Sequence, residues 1–95
     1  MRVVSHPEAE QELEAAALWY DERQPGLGEA FLDEFQPTLR RILADPQRWH
    51  AFRRDNRKHN PYRFPYAVVY RFGANQLHVV AVMHLHRRPS YWAHR

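Results

Sequence analysis

Residues 64–86 read Phe64-Pro65-Tyr66-Ala67-Val68-Val69-Tyr70-Arg71-Phe72-Gly73-Ala74-Asn75-Gln76-Leu77-His78-Val79-Val80-Ala81-Val82-Met83-His84-Leu85-His86. Two β-branched and aromatic runs flank the turn-forming Gly73-Ala74-Asn75-Gln76, which predicts a β-hairpin. Its even-length loop pairs Phe72 with Leu77, Tyr70 with Val79, Val68 with Ala81 and Tyr66 with Met83. One face is then wholly apolar and suits packing against helices, with Phe64, Tyr66 and Tyr70 in the core. The other face carries Ala67, Val69, Val80 and Val82 centrally, with Arg71, His78, His84 and His86 towards its ends. A one-residue slip would bury those polar groups, so this register is the expected one.

Upstream, the apolar period changes from two to about 3.6. Ala9, Leu13, Ala16, Ala17 and Tyr20 recur at helical spacing, predicting a first helix over residues 7–22. Pro7 suits its first position, and Ser5 with Glu8 has the spacing of a capping box, although the N-cap residue itself stays open between neighbours. Gln24-Pro25-Gly26-Leu27-Gly28 breaks the chain. Leu27, Phe31, Phe35, Leu39 and Ile42 then restart the helical period, with a kink expected near Pro37 and an end at Asp45-Pro46. So short a connection makes the helices antiparallel neighbours. Arg2–Ser5 and Trp49–Arg53 read as short strands. The expected fold is α+β: a short N-terminal strand, then an antiparallel helical hairpin packed on one face of a curved, mainly antiparallel sheet, in the order β-α-α-β-β-β. It forms one domain over residues 1–95.

The chain has 95 residues, 44% of them apolar and 26% charged, and no cysteine. A chain this short has one modest core and little room for an enclosed active site, so function is expected on an open face or groove. Without cysteine there is no disulfide, thiolate metal site or cysteine nucleophile. Met1–Pro7 lacks the apolar block of a signal peptide, and the apolar run Phe64–Tyr70 is too short to cross a membrane, so the expected location is the cytoplasm. The net charge of +3 conceals a division. Residues 1–45 hold ten acids against four arginines, a balance of −6, and residues 46–95 hold ten bases against Asp55 alone, a balance of +9. A cationic second half suits an anionic partner, either nucleic acid or an acidic protein segment.

Several segments together resemble the ParE/RelE superfamily of toxins from bacterial type II toxin-antitoxin modules. They are Trp19-Tyr20, Gly26-Leu27-Gly28 leading to Phe31, Pro46, Arg63-Phe64-Pro65-Tyr66 with Val69-Tyr70-Arg71, and Ala81-Val82-Met83-His84 running into Arg87-Arg88-Pro89-Ser90-Tyr91-Trp92. The resemblance implies a growth-inhibiting protein neutralised by a cognate antitoxin. ParE members poison DNA gyrase, whereas RelE members cut messenger RNA in the ribosomal A site. The RelE pattern of arginines, lysines and a tyrosine falls here on Ala67 and His86, on Lys58 and Asn60, and on Trp92, so most of that constellation is absent. This favours the ParE side, with a gyrase inhibitor as the expected activity and a ribosome-dependent ribonuclease as the alternative.

The ParE-like reading asks for a cationic, partly aromatic surface, for which Arg57, Lys58, Arg63, Arg71, Arg87, Arg88, Tyr91 and Trp92 are the candidates. The ribonuclease alternative would draw on His84, His86, Arg87 and Tyr91. The antitoxin is expected on the valine-rich face, at Val69, Arg71, Val80, Val82 and His84, as an acidic amphipathic segment that folds on binding. The C-terminal segment Arg87–Arg95, with Tyr91 and Trp92, is the competing cover for that face. His84 and His86 make only two ligands, set among arginines without a carboxylate, so no metal is expected. No cofactor is implied.

Overall fold

The computed structural model describes residues 1–49, 51–53, 55–60, 63–87 and 91–95. Along the chain lie β1 (Arg2–Ser5), α1 (Pro7–Arg23), α2 (Leu27–Ala44), β2 (Ala51–Arg53), β3 (Asn56–His59), β4 (Tyr66–Gly73) and β5 (Gln76–His84). One sheet has the order β1-β5-β4-β3-β2, with β1 parallel to β5 and every other pairing antiparallel. The expected α+β plan is present with one strand added. Asn56-Arg57-Lys58-His59 shows no apolar alternation, yet it pairs with β4 from Arg57↔Tyr70 to His59↔Val68.

The first helix begins one residue later than a Ser5 cap would place it. His6 is the N-cap, and its Nδ1 accepts the Glu8 amide at 3.1 Å while Pro7 occupies the first turn. This satisfies one of the amides that a helix N-terminus leaves without a partner. The connection to α2 turns on two glycines. Gly26 has φ 89°, a left-handed conformation that side chains disfavour. Asp21 Oδ1 accepts the amides of Gly26 at 2.9 Å and Gly28 at 3.3 Å, tying the turn to the end of α1. Helix α2 includes Pro37, and the adjacent Thr38 hydroxyl donates to the Glu34 carbonyl at 2.7 Å.

The hairpin turn has φ 49° at Ala74 and 61° at Asn75, the two positive values that a type I′ turn requires. From it the pairing follows the expected register through Phe72↔Leu77 to Tyr70↔Val79. There it shifts. The next pairs are Val69↔Ala81, Val68↔Val82, Ala67↔Met83 and Tyr66↔His84, so Val80 is a bulged extra residue. The expected pairs Val68–Ala81 and Tyr66–Met83 are therefore displaced by one, because a bulge exchanges the faces of everything beyond it. Val82 turns to the helices and packs with Ala16, Ala17, Phe31 and Phe64. Ala81 and Met83 turn away, joining Ala67, Val69 and Val80 on the second face. Nearer the turn, Val68, Tyr70, Leu77 and Val79 pack with Ala9, Leu39 and Ile42.

Helix α2 approaches α1 closely at Gly28. A Cβ there would lie 2.3 Å from the Ala17 carbonyl oxygen and 2.9 Å from Asp21 Cβ. Because the first obstacle is backbone, the helices would have to separate. Gly28→Ala is expected to lower the unfolding free energy by about 2–3 kcal/mol, read as a lower urea midpoint at unchanged m-value.

Candidate functional site

The second face of the sheet is covered by the chain's own C-terminal segment. Trp92 is fully buried over Ala67, Val69, Val80, Ala81 and Met83. Its Nε1–H donates to Met83 Sδ at 3.2 Å, and its ring meets Phe52 edge-on at 5.5 Å. Two expectations are corrected by this. Val69 and Val80 form no exposed strip, since Trp92 seals them, and Val82 lies on the opposite face because of the bulge. Nor is Trp92 an anchor for a partner, because its side chain has no exposed surface.

What holds this segment down is ionic. Strand β1 ends at Ser5, paired with Val79, and among the described residues no strand lies beside the outer edge of β5 beyond it. The Arg95 guanidinium and the Glu12 carboxylate complete that edge. Glu12 Oε1 accepts the Val82 amide at 3.0 Å, and Arg95 Nη1 donates to the Val80 carbonyl at 3.1 Å. The two side chains also bond to each other at 3.0 and 2.9 Å, and Arg95 reaches Glu8 at 2.8 Å. Backbone polar groups withdrawn from water need such partners. Arg71 adds a further tie, donating to the main-chain oxygen of Arg95 and to Asn56 Oδ1, both at 3.1 Å. Its guanidinium is thus engaged within the molecule and does not form the expected rim of a docking face.

Beside this strap opens a groove of about 670 Å³, lined by Glu12, Ala15, Ala16, Trp19 and Tyr20 of α1, Pro65, Tyr66, Val82 and His84 of the hairpin, and Arg87 and Tyr91 of the C-terminal segment. Tyr20 and Tyr66 of its lining belong to an aromatic cluster that continues into the core. Tyr20 meets Phe64 at 4.9 Å and Phe31 at 5.4 Å, and Phe31 meets Tyr66 at 5.1 Å. Trp19 forms the lip. It is 48% exposed, with the Arg23 guanidinium 3.5 Å above its ring. Burial raises the Tyr20 and Tyr66 phenols above their ordinary value, so both remain neutral donors at physiological pH. Tyr91 is raised furthest, first by burial and then by its hydrogen bond to Glu12. An open apolar groove with aromatic walls and a few polar groups at its margin suits an inserted side chain or helix face.

The expected site residues disperse. His84, Arg87 and Tyr91 meet at the groove, where Arg87 lies 4.3 Å from the Tyr91 centroid. His86 is exposed next to His84, their rings 5.2 Å apart, and its amide donates to His84 Nδ1 at 3.1 Å. Lys58 is exposed 5.2 Å from the Phe52 ring, and Arg63 is exposed 5.4 Å from the Phe64 ring. Arg57 is turned inward, bonding the main-chain oxygens of Gln47 and Trp49. Arg88 lies outside the described residues. Sequence reasoning did not single out Trp19 as a surface residue, although the signal was present: Leu18 and Trp19 fall off the stripe of Ala9, Leu13, Ala16, Ala17 and Tyr20, and both are exposed. Among the described residues, no three His, Asp or Glu side chains gather as a metal site would require, and no helix is long and apolar enough to cross a membrane.

Comparison with known proteins bears on the family and the fold. A family described as the ParE toxin of type II toxin-antitoxin system, parDE, matches residues 3–89. A solved structure titled "Chromosomal ParDE TA system from P. aeruginosa" is similar in fold, with a TM-score of 0.78 over 90% of this chain and 96% of that one, at 12% sequence identity. No curated protein sequence matches the chain.

The raised Tyr91 phenol links strap stability to alkaline pH. A phenol whose pKa is higher folded than unfolded contributes stability that is complete below the unfolded value of about 10 and is lost as pH rises above it. Tyr91→Phe is expected to flatten the fall in unfolding free energy above about pH 10, as measured by urea titrations from neutral to alkaline pH. The residual slope should belong to Tyr20, Tyr66 and Tyr70, whose phenols burial also raises.

Proposed function

The chain belongs to the family of ParE toxins of type II toxin-antitoxin systems, and on that premise we propose that it arrests growth by binding DNA gyrase and is held inactive by a cognate antitoxin seated in the groove of Trp19, Tyr66, His84, Arg87 and Tyr91. The observation that carries the antitoxin's placement is the groove itself, with half-exposed Trp19 at its lip and exposed Arg87 at its margin. An acidic amphipathic segment would lay apolar side chains against the Tyr20, Tyr66 and Tyr91 rings. Its carboxylates would meet Arg87 and Arg23. The occupant expected on the valine-rich face thereby moves around the edge of the sheet to the open groove.

The preference for protein binding over RNA cleavage follows from the side chains. Ala67 and Trp92, which fall where the ribonuclease pattern has an arginine and its tyrosine, are both fully buried. Tyr91 is a poor proton acceptor or donor for catalysis because Glu12 and burial keep its phenol protonated. Inhibition by docking needs no such group, only a surface that gyrase recognises. Exposed Lys58, Arg63 and Arg87 are the candidates for that contact.

Induction in a growing cell, with transcript mapping and a DNA-damage reporter, tests the target. Intact transcripts with broken DNA are expected, together with inhibition of supercoiling by purified gyrase. Unchanged supercoiling together with cleaved transcripts would refute the proposal. For the antitoxin, the double variant Trp19→Ala/Arg87→Glu is expected to weaken binding by about 2–3 kcal/mol, roughly a hundredfold, as measured by calorimetry with the antitoxin of the same module. An unchanged affinity would remove the antitoxin from the groove.

A further inference from the structure

Away from the groove, near the far edge of the sheet, three arginines from three elements gather around Trp49 and His59. The Trp49 and His59 rings lie against each other with centroids 4.1 Å apart and their planes tilted by 45°. From α2, Arg41 Nε donates to His59 Nε2 at 3.4 Å, and its Nη2 donates to the Thr38 hydroxyl at 3.2 Å. From the turn after α2, the Arg48 guanidinium lies 5.7 Å from the Trp49 centroid. From β3, Arg57 bonds the main-chain oxygens of Gln47 and Trp49, and its guanidinium lies 5.2 Å from the Phe72 ring. The turn is pinned at its start by the Tyr70 hydroxyl, which donates to the Pro46 carbonyl at 2.8 Å.

We propose that this ledge of Arg41, Arg48 and His59 around Trp49, braced from beneath by Arg57, binds the phosphodiester backbone of a nucleic acid. Among the described residues, neither Arg48 nor Arg57 has a carboxylate partner, and the acid of this turn is Asp45, the C-cap of α2. The charges of Arg48 and Arg57 are therefore not paired with an acid inside the fold. His59 registers that field: burial first, and then Arg41 and Arg48, hold its pKa below the ordinary value. The cations are also set in place beforehand. Arg41 and Arg57 are oriented by hydrogen bonds, so an anion binding there pays little to order them.

The shape selects the kind of anion. Small ligands prefer concave sites, whereas these residues form an open ledge supplied by a helix, a turn and a strand. A linear polyanion neutralises several such charges at once and gains by releasing its counterions. Guanidinium forks suit phosphate oxygens. This surface is separate from the groove, so the inference does not depend on which growth target the toxin has.

Binding of the full-length protein to fluorescein-labelled strands of about 20 nucleotides, DNA and RNA of one sequence and the DNA duplex, followed by anisotropy, tests this. Affinity for all three is expected, falling with salt, since backbone contact requires no 2′-hydroxyl. Arg48→Glu should weaken it by about tenfold and reduce the salt slope by about one. Arg2→Glu, which changes net charge equally on exposed β1 at the opposite edge of the sheet, should weaken it by less than about twofold. A second readout does not depend on any variant folding: the His59 imidazole pKa, followed by NMR, should rise when oligonucleotide is added, because a phosphate opposes Arg41 and Arg48. The proposal is overturned by no binding at about 50 mM salt, by equal weakening in the two variants, or by binding of RNA alone. It is also overturned if polyglutamate competes as well as DNA does, which would make this an acidic-peptide site, or if inorganic phosphate shifts His59 while oligonucleotide does not.

Discussion

The bulge at Val80 is the constraint on which the rest of the molecule depends. By inserting one residue into β5 it sends Val82 towards the helices and leaves Val80, Ala81 and Met83 on the far face. That far face then has five apolar side chains and no helix to cover it, so it needs a lid, and Trp92 is that lid. Beyond the end of β1, the outward backbone groups of Val80 and Val82 also need partners. They find them in Arg95 and Glu12. An ion pair thus stands where a strand would be, and the same guanidinium ties down the segment that carries Trp92. Breaking one half of a shielded pair costs more than the pair contributes, because the remaining charge is left without its partner.

This arrangement changes what the positive charge of the second half is for. Arg57, Arg71 and Arg95 each donate to main-chain oxygens, holding the turn after α2, the C-terminal segment and the edge of β5. Those cations are structural, and they hold loops in a chain that has no cysteine and only a modest core. The cations left to face solvent include Lys58, Arg63 and Arg87, together with Arg48 on the Trp49 ledge. The charge imbalance read from the sequence therefore divides into internal fasteners and at least two separate outward patches.

Much of the fold was legible from periodicity and turn residues. The helical stripes, the glycine turn between them and the hairpin register from Phe72 to Tyr70 all follow from local pattern. The register was lost at Val79-Val80-Ala81-Val82-Met83 for a definite reason. Five consecutive apolar residues carry no polar marker of phase, so a one-residue bulge leaves the pattern equally plausible on either face. Strand β3 was missed for the converse reason. Its four residues are all polar, and their place in the sheet comes from pairing with β4 and from the Asn56 and Arg57 side-chain contacts. In the groove, Arg87, His84 and Tyr91 were visible as chemistry, whereas Trp19 was visible only as a residue off its helical stripe.

Glu12 joins the strap to the groove. It lines the groove wall, accepts the Val82 amide, pairs with Arg95 and receives the Tyr91 phenol. An unpaired carboxylate at that position would repel the acidic partner proposed for the groove. Paired with Arg95 at 2.9 Å, it presents instead a nearly neutral wall on which apolar side chains can rest. The ion pair therefore serves the groove as well as the sheet edge, making it electrostatically tolerant of an acidic occupant. Tyr91 belongs to both the groove and the strap, so an occupant of the groove would contact the strap directly. Coupling of that kind is reciprocal: a partner that binds better to the closed strap must in turn stabilise it.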